Sequence, residues 1–430
     1  MFEKISSILS NYKKTSFSSL KIRNYRLYFI GQSISLSGTW MQTIGQAWLV
    51  LKLTNSGTEL GLVTALQTLP VLFLGPIGGL AGDRFSKRKL LYITQSGMGI
   101  LALILGVLVY TDTIRIWMIY VLATGVGVFN AVDNPTRRTF VLEMVGKKEL
   151  SNAVTLFSTV FNLSRIVGPA LAGLIIASAG LASCFLLNGI SFIAVLVCLY
   201  MMNSKEFNPV EPVKRASGQL REGFKYVLNT PFLRDLLIMM GIIGTFTYEF
   251  QVNLPLIAKF TFGSNVNGFA YLNSAMGVGA VLGGLASANR KSIIPLSMLK
   301  TIFIFGFAIL FVAISPTLHF AIIAMVIVGI FSIRFTTIGE TMLQLESAPS
   351  MRSRVMSLWS VAFLGSTPIG GPIIGWIGEY TSPRWGLAVS ACAALIAAVY
   401  GLITIKNYQL HIYNKTKVDQ VVVVKEGGKL

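Results

Sequence analysis

Residues 78–88 read Gly78-Gly79-Leu80-Ala81-Gly82-Asp83-Arg84-Phe85-Ser86-Lys87-Arg88. Mostly apolar runs flank this stretch, one centred near Pro70 and one near Ile100. A helix needs about 20 such residues to cross a bilayer. Gly78, Gly79 and Gly82 carry no side chain to keep a neighbouring helix away. Asp83, Arg84, Lys87 and Arg88 mark the point where the chain leaves the apolar phase, because charge inside it is expensive. The stretch predicts two membrane-spanning helices joined by a short basic turn.

The rest of the chain agrees. Of 430 residues, 53% are apolar and only 12% charged, and the mean hydropathy is +0.68. A soluble domain is about a quarter charged. This excludes an ordinary water-soluble enzyme and a disordered chain. The net charge of +19 comes from 36 Lys and Arg against 17 Asp and Glu. In a membrane protein it reads as basic cytoplasmic loops facing anionic lipid, and no nucleic acid partner is expected. Cys184, Cys198 and Cys392 sit in apolar runs, with neither a disulfide framework nor metal-ligand spacing.

Twelve candidate spans centre near Ser37, Pro70, Ile100, Leu122, Asn162, Ser191, Gly244, Met276, Phe305, Met325, Gly365 and Ala391. The most polar are those around Ser37, Asn162 and Gly244. With the termini and alternate loops on one side, that side holds 29 Lys and Arg and the other holds 4. The positive-inside rule then places both termini in the cytoplasm. Residues 1–26 are polar and basic without an apolar core, so no cleavable signal peptide is expected.

The two halves repeat. Gly78-Gly79-Leu80-Ala81 returns as Gly283-Gly284-Leu285-Ala286, and Gly168-Pro169 returns as Gly371-Pro372. Leu156-Phe157-Ser158 returns as Leu358-Trp359-Ser360. The offsets are all close to half the chain, which suggests a duplicated six-helix unit. The expected organisation is a cytoplasmic segment 1–25, a bundle 26–203, a linker 204–230, a second bundle 231–406 and a cytoplasmic tail 407–430. Transporters built from such repeats hold their substrate between the halves near the midplane.

The stretch from Gly79 to Arg88 resembles the loop 2–3 signature of the major facilitator superfamily, departing from it at Ser86. Arg165-Ile166-Val167-Gly168-Pro169-Ala170-Leu171-Ala172-Gly173 is similar to the Gly-Pro signature of its antiporters. Asp133-Asn134-Pro135-Thr136-Arg137-Arg138 and Arg352-Ser353-Arg354-Val355-Met356-Ser357-Leu358 resemble its enterobactin-exporter-like branch of bacterial drug and siderophore exporters. The likeness runs from about Asn24 to Lys406. It implies an all-α inner-membrane protein of two six-helix bundles related by a pseudo-twofold axis. It implies export of a small amphipathic drug or siderophore by proton antiport. It also implies that Gly79, Asp83, Arg84 and Arg88 latch the cytoplasmic side in the outward-facing state. Gly168, Pro169 and Gly173 would kink helix 5 against helix 8. The alternatives are a solvated turn and an ordinary membrane-helix proline.

Polar residues recur at helical spacing on three spans: Gln32, Ser35, Thr39, Gln42, Thr43 and Gln46 on the first; Ser158, Asn162, Arg165 and Pro169 on the fifth; Thr245, Glu249 and Asn253 on the seventh. Amides left unpaired in lipid cost a few kcal/mol each. These faces therefore line a watery cavity or bond to one another. Gln42, Gln46, Trp40, Asn162, Asn253 and Trp359 are cavity candidates. Trp40, Trp48, Phe157, Tyr248, Phe250 and Trp359 offer apolar contact, or core packing.

Charges within spans are functional candidates. Arg165 falls about 21 Å from the cytoplasmic start of the fifth span and Glu249 about 26 Å into the seventh. Burial makes a carboxylate's charge costly, so such a group can trade a proton for substrate as access alternates. Glu249 is the first proton-coupling candidate and Asp133 the second. Asp133 is otherwise a helix cap or an ion-pair partner of Arg137 or Arg138. Arg165 pairs with a carboxylate, binds an anionic substrate, or serves packing. Residues 121–130 hold no charge, unlike many antiporters of the superfamily. A phosphate-binding loop is absent, and His319 and His411 stand alone, so neither ATP drive, a metal nor another cofactor is expected. A monomer is expected, with a small molecule, protons and lipid as partners. The rival readings are a lipid or lysophospholipid flippase and a non-transporting membrane sensor.

Overall fold

A computed structural model describes residues 17–208, 219–288, 295–348, 351–363 and 365–426. Helices make up almost all of it, and no strand occurs among the described residues. The first six spans are α1 (Arg23–Thr54), α2 (Gly57–Arg84), α3 (Lys87–Tyr110), α4 (116–145), α5 (147–179) and α6 (Leu181–Met201). The short helix Gln219–Leu228 precedes α7 (Pro231–Thr261), from which it bends away by 107°. The chain continues as α8 (Val266–Ala288), α9 (Pro295–Ile314), α10 (Leu318–Glu346), α11 and α12 (Pro383–Glu426). α11 comes in two pieces, Arg352–Phe363 and Thr367–Tyr380.

Among the described residues, nine helices are long and apolar enough to cross a membrane, or ten if the bent pair is one span. The spans not counted singly are the polar ones. α1 has length to spare at 32 residues, but its Gln, Ser and Thr stripe dilutes it. α4 and α5 run together over 64 residues, a rise of about 96 Å if straight, roughly three bilayer cores. Gly146 divides them with φ 68° and ψ 177°, a conformation open to glycine alone. α7 is broken: π-helical turns at Ile243–Thr247 and Ile257–Thr261 flank a short α-helix, Phe250–Leu256.

The packing repeats as the sequence does. α2 packs on α4, α3 on α4 and α6, and α1 on α5 and α6. Six spans later, α8 packs on α10, α9 on α10 and α12, and α7 on α11 and α12. The repeated glycines explain the match. A β-carbon at Gly78 would collide with the Ala131 carbonyl of α4, and one at Gly283 would stand 2.5 Å from the Ile330 carbonyl of α10. Only hydrogen at these positions lets the backbones approach so closely.

The halves meet along two seams, α2 with α11 and α5 with α8. At the first, Gly57 and Gly61 lie against Gly375 and Gly371, nearly backbone to backbone. At the second, Gly173 faces Asn267 and Ala270, and Gly277 faces the Arg165 carbonyl. Both seams sit toward the end where α2 begins. Charges matched to helix dipoles close the same end. Glu379 of α11 accepts from Ser56 Oγ at 2.6 Å and Thr58 N at 2.9 Å, at the α2 N-terminus. Lys259 Nζ donates to the Leu51 carbonyl and Asn55 Oδ1, both at 2.6 Å, at the α1 C-terminus. A carboxylate at an N-terminus and an ammonium at a C-terminus each contribute about 0.3–1 kcal/mol when exposed. Toward the opposite, basic end, Gly284 lies two turns beyond Gly277 on the same face of α8, and a β-carbon there would meet nothing within 4 Å. There the seam opens.

This closure is testable. In a background without native cysteines, Glu379→Gln with Lys259→Met should speed modification of a Thr64→Cys probe by an impermeant thiol reagent. The reagent is added from the side where α2 begins, and the expected gain is roughly threefold to tenfold. An unchanged rate would mean that the glycine contacts hold the seam alone.

Candidate functional site

A cavity of about 400 Å³ lies between the halves. That is within the usual range for a small-molecule site. α1 supplies one wall, through Ser35, Thr39, Trp40, Gln42, Thr43 and Gln46. The stripe faces water and also bonds to its neighbours. Asn188 Nδ2 of α6 donates to Gln42 Oε1 at 2.7 Å, and Gln46 Nε2 donates to Gln67 Oε1 of α2 at 3.3 Å. Asn130, Asn134 and Arg137 of α4, Gln251 of α7 and Asn273 of α8 add further polar groups. Phe161, Phe192 and Phe269 supply apolar wall. Among the described residues no Asp or Glu lines the cavity.

The three charged candidates occupy three different environments. Asp133 is fully buried and saturated. Its Oδ1 accepts from Thr94 Oγ1 at 2.8 Å and Gln95 Nε2 at 2.7 Å, and its Oδ2 pairs with Arg137 one turn on. Arg137 Nη1 donates to Gln32 Oε1 of α1 at 2.8 Å. The ion pair therefore bolts α1, α3 and α4 together and presents Arg137 to the cavity. Arg138 takes no part in it.

Arg165 lies at the seam. Its guanidinium sits over the Trp40 ring, 5.3 Å from the centroid, and no carboxylate pairs with it among the described residues. Pro169 removes the N–H that would have bonded the Arg165 carbonyl. Gly277 of α8 packs against that carbonyl, where its own β-carbon would stand only 3.1 Å away. The helix keeps helical dihedrals through Pro169. Gly168 faces α1 rather than α8: a β-carbon there would collide with Trp40 and stand 2.8 Å from the Ser37 carbonyl. Gly173 makes the α8 contact.

Glu249 is 1% exposed and sits in the break of α7. Neighbouring Tyr248 fixes the break. Its hydroxyl bonds Ser332, and it packs among the rings of Phe250, Phe305, Phe335 and Phe363. β-carbons at Gly370 and Gly371 would stand 3.0 and 3.5 Å from the Glu249 carboxylate oxygens. Thr367 reaches the carboxyl, but Oε1 has no hydrogen-bond partner and no basic side chain pairs with it among the described residues. Glu249 is thus part of the α2–α11 seam, two residues from cavity-lining Gln251.

Of the cavity candidates, Trp40, Gln42 and Gln46 line it, and Asn162, Asn253 and Trp359 do not. Asn162 donates to the Ser158 carbonyl at 2.8 Å on its own helix. Asn253 ties α7 to Ser390 of α12 at 3.0 Å. Trp359 stacks on Phe363 at 5.4 Å. Sequence reading passed over Gln67, Asn130, Asn188 and Asn273, which stand singly in apolar runs; an isolated amide in a span was the available signal. In the latch stretch, the Asp83 side chain lies outside the described residues, and Arg84 is exposed. Arg88 bonds the Tyr200 carbonyl at 3.0 Å, so here it caps α6 rather than touching the other half.

A family model described as transmembrane secretion effector matches residues 14–420. The staphyloferrin A transporter of Staphylococcus aureus is 27% identical, over 77% of this chain and 84% of its own length. The enterobactin exporter of Escherichia coli is 24% identical, over 89% and 91%. Among solved structures, a bacterial homolog to the human lysosomal transporter Spinster, inward-facing and unoccupied, superposes with a TM-score of 0.68 at 15% identity, covering 89% of this chain and 97% of that one. A POT family transporter bound to a thioalcohol-conjugated peptide reaches 0.74 at 11% identity, covering 90% and 96%. At these identities the structures establish the fold.

Removing one partner of the Asp133–Arg137 pair leaves a buried charge, at a cost of about 3–5 kcal/mol. Arg137→Gln should lower the melting temperature of the purified protein by several degrees, and Asp133→Asn in the same chain should restore most of it. Additive losses would show that the pair does not couple the helices.

Proposed function

This chain belongs to the transmembrane secretion effector family of the major facilitator superfamily, and from that premise we propose that it exports a siderophore-class solute from the bacterial cytoplasm in exchange for protons. The transporter is a multi-pass protein of the inner membrane. One observation carries the reading: the cavity between the halves is sealed at one end by glycine seams, while the α5–α8 seam opens toward the other. With both termini and the basic loops in the cytoplasm, this is the state that receives cargo from inside. The two relatives named above support the cargo class. An amide-rich wall suits a polar solute better than an acyl chain.

Glu249 supports the coupling. Its carboxylate is buried in the seam with no cation paired to it among the described residues. A bare charge in such a place costs several kcal/mol. Charge on Glu249 and a closed outer seam therefore oppose each other. Cargo enters from the cytoplasm and the proton leaves. The charged carboxylate then drives the seam apart, and cargo departs outward. An external proton neutralises Glu249, and the seam closes again. Asp133 fits a structural role better, because its acceptor sites are already engaged.

The same reading treats the chain as a monomer of twelve spans, in units 26–203 and 231–406 joined by 204–230. Gly79, Asp83, Arg84 and Arg88 would latch the basic end once it closes.

In inverted vesicles with an acid lumen, adding a siderophore should collapse the pH gradient. Glu249→Gln should abolish that collapse and, being always neutral, hold the outer seam closed, so exchange of labelled for unlabelled cargo should fall as well; Asp133→Asn should keep the coupling. Full coupling in Glu249→Gln would remove Glu249 as proton carrier. No response from well-inserted wild-type protein to any siderophore would overturn the export reading.

A further inference from the structure

We propose that the short helix Gln219–Leu228 is a docking site for anionic lipid headgroups at the basic end of the protein. Asn229 and Thr230 join it to α7, from which it turns away by 107°. A helix at that angle to a membrane span runs close to the plane of the bilayer surface.

Its inner face belongs to the second half. Gly223 and Val227 are buried, and a β-carbon at Gly223 would stand 2.8 Å from Arg354 Cβ near the start of α11. Arg354 Nη1 pairs with Glu222 at 2.8 Å, and the Ala348 N–H donates to the Tyr226 hydroxyl at 3.1 Å. These contacts tie the helix to α11 and to the residues before it, so its outer face keeps one orientation.

That outer face carries two stripes. Phe224 and Leu228, one turn apart, are 54% and 48% exposed. Arg221 and Lys225, also one turn apart, are exposed beside them. Glu222 is matched by Arg354, whereas no carboxylate pairs with Arg221 or Lys225 among the described residues. A helix at a membrane interface sinks its apolar residues to the acyl boundary and sets its cations among the headgroups. Phe224 and Leu228 supply the first part, Arg221 and Lys225 the second. Leu228 lies three residues from Lys225, so acyl and phosphate groups of one lipid can be met together. The unmatched charge selects among headgroups: a zwitterionic lipid neutralises its own phosphate, and an anionic one does not. With the basic loops inside, this end faces the cytoplasmic leaflet, whose anionic lipids attract basic segments beside a span.

The test uses the full chain without native cysteines in phosphatidylcholine nanodiscs, with a bimane fluorophore on Leu228→Cys. Brominated phosphatidylglycerol or brominated phosphatidylcholine is included at matched mole fractions. Both should quench the fluorophore. The anionic lipid should do so at a mole fraction lower by roughly fivefold or more, the gain expected for each cation near an anionic surface. Arg221→Gln with Lys225→Gln should bring the two curves together and leave quenching by phosphatidylcholine as it was, which certifies that the helix is still in place. Quenching by neither lipid would mean that water or protein covers the face, and would overturn the proposal. Equal quenching by both lipids before the double substitution, or a preference that survives it, would overturn it as well.

Discussion

The approach of α2 to α11 is the constraint on which the rest depends. Gly57 and Gly61 meet Gly375 and Gly371 with no side chains between them. Such proximity exists only where both helices lack a β-carbon at the crossing. It closes one end of the cavity and so fixes the direction in which the cavity is open. It also places the Glu249 carboxyl against the α11 backbone, because α7 breaks at that level. Helix packing and a buried carboxyl thus share one crossing. A charge there is not a passive feature, since its cost falls directly on the contact that keeps the two sides of the membrane apart.

Polar groups are divided between two duties. The Asp133–Arg137–Gln32 network fastens the first three-helix corner, and Arg137 also lines the cavity. Gln42 and Gln46 bond across to α6 and α2 while lining the cavity from α1. Glue and ligand contact are not alternatives for these residues. In a helix bundle without water around it, an amide must be held by something, and the same amide has spare hydrogen-bonding capacity. Arg165 stands apart because its contact is a ring and no carboxylate pairs with it among the described residues.

Much of the architecture was legible beforehand. The apolar runs, the asymmetry of basic loops and the repeated glycine motifs are one-dimensional signals with direct physical causes. The Gly78 and Gly283 repeat reappears as two equivalent helix crossings. Around the site the reading was mixed. Trp40, Gln42 and Gln46 line the cavity, because a stripe of six polar residues on one helix must face something polar. Asn253 and Trp359 carry the same residue types but turn to α12 and to Phe363. A lone amide or indole has no periodic context, so nothing along the chain says which neighbour it meets.

The sequence by itself determined that this is a helical membrane protein built twice over. Those properties follow from the cost of exposing backbone and charge to lipid, and that cost is set residue by residue along the chain. Only the tertiary structure decided which carboxylate is engaged and which is not. Asp133 and Glu249 are both buried acids within apolar surroundings. One found Thr94, Gln95 and Arg137; the other found glycine backbone and Thr367. The difference comes from the crossing of helices distant in sequence.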